Sequence, residues 1–107
     1  MKVLNKAMNK KTLKALRRAI NEIDHGIINL IKKRIDIGKK VAKAKIKIGM
    51  QIRDRKREKD VIKNAMTLSK KKGIIKTKRD EKMIKALFSW MIKKNIEEQK
   101  RYFIKAR

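Results

Sequence analysis

The chain has 107 residues, 35 Lys and Arg against 10 Asp and Glu, a formal net charge of +25 and no Cys. This excludes disulfide and thiolate chemistry, sets about one domain as the expected size and limits the core that a single copy can bury. The charge suits nucleic acid, an anionic membrane surface or a small polyanionic metabolite, although lysines scattered over solvated faces would give the same excess with no partner at all.

There is no Pro, Gly occurs four times and aromatic residues make up 4%. Helix formers and Ile dominate, so the expected fold is all-α. "MKVLNKAMNKK" has no apolar run long enough for a signal peptide, and no stretch approaches a membrane span. A cytoplasmic protein is expected. His25 is the only His; it cannot make a zinc site alone and reads as a solvent-facing helix residue.

Residues 1–10 read as an N-terminal extension and 11–107 as one helical domain. The first helix is predicted from about Lys11 to Lys47. Its apolar residues Leu13, Leu16, Ile20, Ile23, Ile27, Leu30, Ile37, Val41 and Ala44 alternate by three and four, a heptad seam that asks for a partner helix. Gly26 and Gly38 weaken this helix by up to about 1 kcal/mol each relative to Ala, and are explained if another backbone or a ligand comes close. Gly49 is the predicted stop.

Asp54 then reads as an N-cap for a second helix, from about Arg55 to Lys72, with Gly73 ending it. Thr77 and Asp80 are spaced as a capping box. They precede a third helix, from about Asp80 to Lys105, whose apolar face includes Ile84, Leu87, Phe88, Met91, Ile92, Ile96 and Phe103.

Polar residues interrupt these apolar faces. Arg34 falls on the seam, and Lys45 lies three turns further on, pointing the same way. A buried cation requires an anion or carries a large cost; the plainer reading is that each snorkels to solvent or meets an internal acid. Asn95 and Gln99, four apart, interrupt the third helix. In "IRDRKREKD", Asp54 and Glu58 suit a helix N-terminus and its dipole, yet they flank Arg57 where free backbone N–H groups can meet a polar ligand. Folding the helices together would gather these groups into a pocket of cations and hydrogen-bond donors without a nucleophile–base pair. Such a pocket suits a compact anion.

"LRRAINEIDHGIINLIKKR", "VAKAKIKIG", "IRDRKREKDVI" and "NIEEQ" together resemble the all-α chorismate mutases in order and spacing, over residues 13 to 104. The resemblance implies three helices per chain, the first very long, in an intertwined homodimer with shared active sites. It implies the Claisen rearrangement of chorismate to prephenate on the way to Phe and Tyr, with no cofactor, no metal and no covalent intermediate.

By that resemblance Arg34 binds one substrate carboxylate, and Arg17 of the second protomer binds the other. Lys45 touches a carboxylate and the breaking ether oxygen, and Gln99 donates to the same oxygen. Glu58 accepts from the ring hydroxyl with the backbone near Asp54 assisting. Arg57 supports, and Asn95 stands where the family often has Ser, at a position that contacts a substrate carboxylate. Arg17 and Lys45 are 28 residues apart, about 42 Å on a continuous helix. If both serve one small ligand, they come from different chains.

Segment 70–82 is longer than in compact relatives, and "MQ" replaces a Pro frequent before the R-D turn. Three rival readings remain. An isochorismate pyruvate-lyase would use the same framework, though the intact R-D-x-x-R-E turn favours the mutase. A basic helical nucleic-acid-binding protein fits the charge but lacks aromatics for stacking; incidental polyanion binding at low salt is expected in any case. A membrane-surface helix would need its polar face free of a dimer seam.

Overall fold

The computed structural model describes residues 2–106, and side chains from Lys6 to Lys105. It contains three helices: α1 (Lys2–Ile48), α2 (Arg55–Lys71) and α3 (Lys78–Ala106). No strand occurs among the described residues, in agreement with the all-α expectation. No helix there is long and apolar enough to cross a membrane.

α1 begins nine residues before the predicted Lys11. The heptad pattern that located the helix starts only at Leu13, whereas "KVLNKAMNKK" contains neither Pro nor Gly to stop the backbone from winding on.

Both interior stops follow one rule. Gly49 has φ 70° and Gly73 φ 73°, a conformation open to Gly at little cost. At the end of α1, Gly49 N–H donates to Ile46 C=O at 3.2 Å and Met50 N–H to Lys45 C=O at 2.9 Å. At the end of α2, Gly73 N–H donates to Lys70 C=O at 3.1 Å and Ile74 N–H to Ser69 C=O at 2.9 Å. Each pair is a Schellman closure that satisfies otherwise orphaned carbonyls.

The starts are capped by side chains. Asp54 accepts from Arg57 N–H at 3.0 Å and opens α2. Thr77 Oγ1 accepts from Asp80 N–H at 3.2 Å, and Asp80 Oδ2 accepts from Thr77 N–H at 3.1 Å, a reciprocal capping box. Asp80 also accepts from Lys76 N–H, and these backbone donors hold its carboxyl below its ordinary pKa.

By contact the chain divides at Lys33/Arg34 into two units. The first holds the N-terminal part of α1. There Leu16, Ile20, Ile23 and Leu30 are all more than half exposed, at 57%, 56%, 61% and 64%. The seam predicted from the heptad pattern is thus open to solvent in a single copy.

The second unit holds the rest of α1 with α2 and α3. Its core is thin: Ala42 and Ala65 are the buried apolar residues, joined by buried Ser69 and Gln99. On α1 the inward stripe is Arg34, Gly38, Ala42 and Lys45, with Ile37 and Val41 left exposed to one side. Small and polar residues therefore face α3, and they leave room for a pocket where a large aliphatic row would have filled it.

Candidate active site

A cavity of about 240 Å³ lies within the second unit. That is below the range of roughly 300–1,000 Å³ usual for drug-sized ligands, so it suits a compact molecule. Arg34, Lys45, Asp54, Arg57, Glu58, Asn95 and Gln99 all line it, with Ile37, Val41, Ile52, Val61, Ile92 and Ile96 supplying apolar wall. Of the residues singled out from the sequence, Arg17 alone is not in this lining; it is exposed on α1 in the first unit.

Lys45 comes from the last turn of α1. Its Nζ donates to Ile52 C=O at 2.6 Å and to Gln99 Oε1 at 2.9 Å. An ammonium has three N–H donors, so one is left over. Gln99 is 6% exposed. Its oxygen is committed to Lys45, which turns its amide nitrogen into the donor available to a ligand.

Arg34 is half-buried, and its hydrogen-bond acceptors are neutral. Nη1 donates to Asn95 Oδ1 and, at 3.4 Å, to Met91 C=O. Burial, and then the charge of Arg57, lower the Arg34 pKa from its ordinary value. The guanidinium stays charged, and an anion beside it would offset both effects by favouring the charged form. The expected alternative of an internal acid for Arg34 or Lys45 is not realised: both are held by carbonyls and amides.

The two acids of the pocket are committed elsewhere. Asp54 caps α2. Glu58 is gripped by Arg53, with Nε to Oε2 at 3.2 Å and Nη2 to Oε1 at 2.5 Å. The Arg53 hydrogen bond is the main cause that holds the Glu58 carboxyl below its ordinary pKa. Arg53 lies outside the cavity lining but fixes Glu58 within it, a supporting role not expected from the sequence. It precedes the helix and pairs at i, i+5, so the i, i+3 and i, i+4 rules for helix surfaces give no hint of it. Its position directly before the capping Asp54 was the only available signal.

The geometry defines a class: a small helical protein whose pocket offers cations and hydrogen-bond donors to a compact anion, with the Arg53-paired carboxylate of Glu58 on its wall. Residues 16–100 match the family described as chorismate mutase type II, and the chain belongs to that family.

Two curated relatives agree with this. The chain is 34% identical over 96 residues to the bifunctional chorismate mutase/prephenate dehydratase of Buchnera aphidicola subsp. Baizongia pistaciae, covering 90% of this chain and 24% of the relative. It is 33% identical over 90 residues to the chorismate mutase of Methanocaldococcus jannaschii, covering 84% of this chain and 86% of the relative. The chain thus spans about a quarter of the first and most of the second. No solved structure matches it significantly.

Proposed function

We propose that the chain catalyses the rearrangement of chorismate to prephenate as a homodimer with shared sites. The observation that carries this reading is the convergence of Arg34, Lys45 and Gln99 on one small cavity, with hydrogen-bond donors to spare and no acid neutralising the two cations. Chorismate is a compact dicarboxylate, and its rearrangement is unimolecular. What it requires is a reactive conformer held in place and stabilisation of charge on the breaking ether oxygen. It requires no nucleophile.

In this reading Arg34 meets one carboxylate through the guanidinium edge that Asn95 leaves free. The spare N–H of Lys45 and the Gln99 amide face the ether oxygen. Glu58, kept ionised by Arg53, accepts from the ring hydroxyl, with the first turn of α2 beside it. Arg57 adds positive potential. Arg17 of a partner subunit completes the set. The exposed apolar row of α1 supports the dimer, since it is the surface that a second α1 would cover.

The direct test follows chorismate loss by ultraviolet absorbance with purified protein. Conversion to prephenate without pyruvate is the expected result. Release of pyruvate from isochorismate with no chorismate turnover would transfer the site to the lyase reaction. Nucleic-acid binding is expected to vanish at moderate salt while turnover persists.

A pH dependence also follows. A carboxyl whose folded-state pKa is depressed contributes above its unfolded value, about 4.3 for Glu, and that contribution is lost as pH falls through the folded value. Turnover that depends on ionised Glu58 is therefore flat from neutrality down to about pH 5 and declines only further into acid. Arg53→Ala removes the main cause of the depression, so the acid limb of kcat/KM is expected to move to higher pH. An unmoved limb in that variant would detach Glu58 from the reaction.

A further inference from the structure

We propose that Gly38 and Asn95 form one coupled device that fixes the guanidinium of Arg34, which makes Asn95 a positioning residue; the inference deepens the mutase reading and rests on it. Asn95 is half-buried on α3 and reaches across to α1 with both ends of its amide. Its Oδ1 accepts from Arg34 Nη1, while its Nδ2 donates to the Arg34 backbone carbonyl at 3.2 Å. One side chain therefore holds the head of Arg34 and the helix turn from which Arg34 springs.

That crossing, as it stands, runs over a residue without a side chain. A Cβ at position 38 would fall onto the Asn95 amide nitrogen, with the amide carbon at 3.1 Å and the Asn95 Cβ at 3.7 Å. The clash falls on the end of a side chain that can move, but any such shift disturbs the two hydrogen bonds that this amide makes to Arg34. Gly26 on the same helix is a useful contrast: nothing lies within 4 Å of a Cβ placed there. Glycine at a helix interior costs roughly 0.5–1 kcal/mol relative to Ala. At position 38 the space is used, and Gly38 is buried.

The consequence falls on the free edge of Arg34. Nη1 is occupied by Asn95 and by Met91 C=O. Nε and Nη2 remain as a fork, and a fork of two parallel N–H groups matches a carboxylate bidentately. Because the opposite edge is pinned, the fork is oriented before the ligand arrives, so less side-chain freedom is lost on binding.

The test is a double-mutant cycle of Gly38→Ala and Asn95→Ser, read by steady-state kinetics and by thermal melting without substrate. Serine lacks the amide nitrogen that a Cβ at position 38 would strike, so in its background the severe clash is gone and only the looser approach of the side-chain base remains. Gly38→Ala alone is expected to raise KM about tenfold or more with a smaller change in kcat, the signature of a displaced binding group. The same change in the Asn95→Ser background is expected to alter KM less than about twofold.

A merely structural defect would lower the active fraction, and so kcat, with KM unmoved. Melting should show the same non-additivity, with Gly38→Ala lowering Tm in the parent and not in Asn95→Ser. Equal effects of Gly38→Ala in the two backgrounds, in KM or in Tm, would overturn the coupling. If the parent protein leaves chorismate untouched, the mutase reading fails by itself, and the Tm cycle still decides whether Gly38 and Asn95 act together.

Discussion

Lys45→Ala is expected to lower chorismate turnover by about two to three orders of magnitude, the usual effect of deleting one donor from a preorganised charge-stabilising site. The Nζ of Lys45 is fixed by Ile52 C=O at 2.6 Å and Gln99 Oε1 at 2.9 Å, so its remaining N–H has a defined direction before substrate binds. The position is sensitive in a second way. Without Lys45 the Gln99 amide loses the partner that fixes which end faces the cavity, and a flipped amide would present oxygen to an oxygen. Removing the donor also leaves a carbonyl and an amide oxygen unpaired, at a cost of about 1–3 kcal/mol. Stability must therefore be measured beside activity: circular dichroism and urea unfolding give the folded fraction, and turnover is compared per folded protein. Arg34→Ala is expected to be similarly severe. Wild-type rates in both variants would remove this pocket from the reaction.

The parts of this fold that could be read from the sequence are those where a local rule acts alone. Asp54, Gly49, Gly73 and the Thr77/Asp80 pair each cap or stop a helix by contacts within a few residues, so their spacing was sufficient. The start of α1 was harder to place because nothing in "KVLNKAMNKK" speaks for or against a helix except the lack of a breaker. Arg34, Lys45, Asn95 and Gln99 were visible as polar residues on apolar faces, since burial makes such residues conspicuous.

Their pairing was not visible. That Lys45 meets Gln99 and Arg34 meets Asn95 depends on how two helices cross, and a one-dimensional pattern does not hold a crossing. The same limit hid the purpose of Gly38. A glycine inside a helix leaves room without saying whether it is used: nothing approaches Gly26, and only the packing shows the Asn95 amide over Gly38. Arg53 was hidden by composition: among so many cations in "IRDRKREKD", none is marked as the one that grips Glu58.

Mixing Arg17→Ala protein with Arg34→Ala protein is expected to restore activity that neither has alone. The row Leu16, Ile20, Ile23, Ile27 and Leu30 is 48–64% exposed, and a contiguous apolar surface of this kind on a small, highly charged chain calls for a cover. If a second α1 provides it through a two-fold axis, each pocket takes Arg34 from one chain and Arg17 from the other. Each parent homodimer then carries two damaged sites. A mixed dimer concentrates both lesions in one site and rebuilds the other, so complete exchange of equal amounts gives about one quarter of the wild-type site number. Subunit exchange is verified separately, for instance by mass spectrometry of differently tagged chains. Exchange without recovered turnover would mean that Arg17 does not serve the partner's pocket. Recovery well above one quarter would mean that the two lesions do not act on the same site, because a dimer retaining one intact pocket in half of the population has no other source of activity.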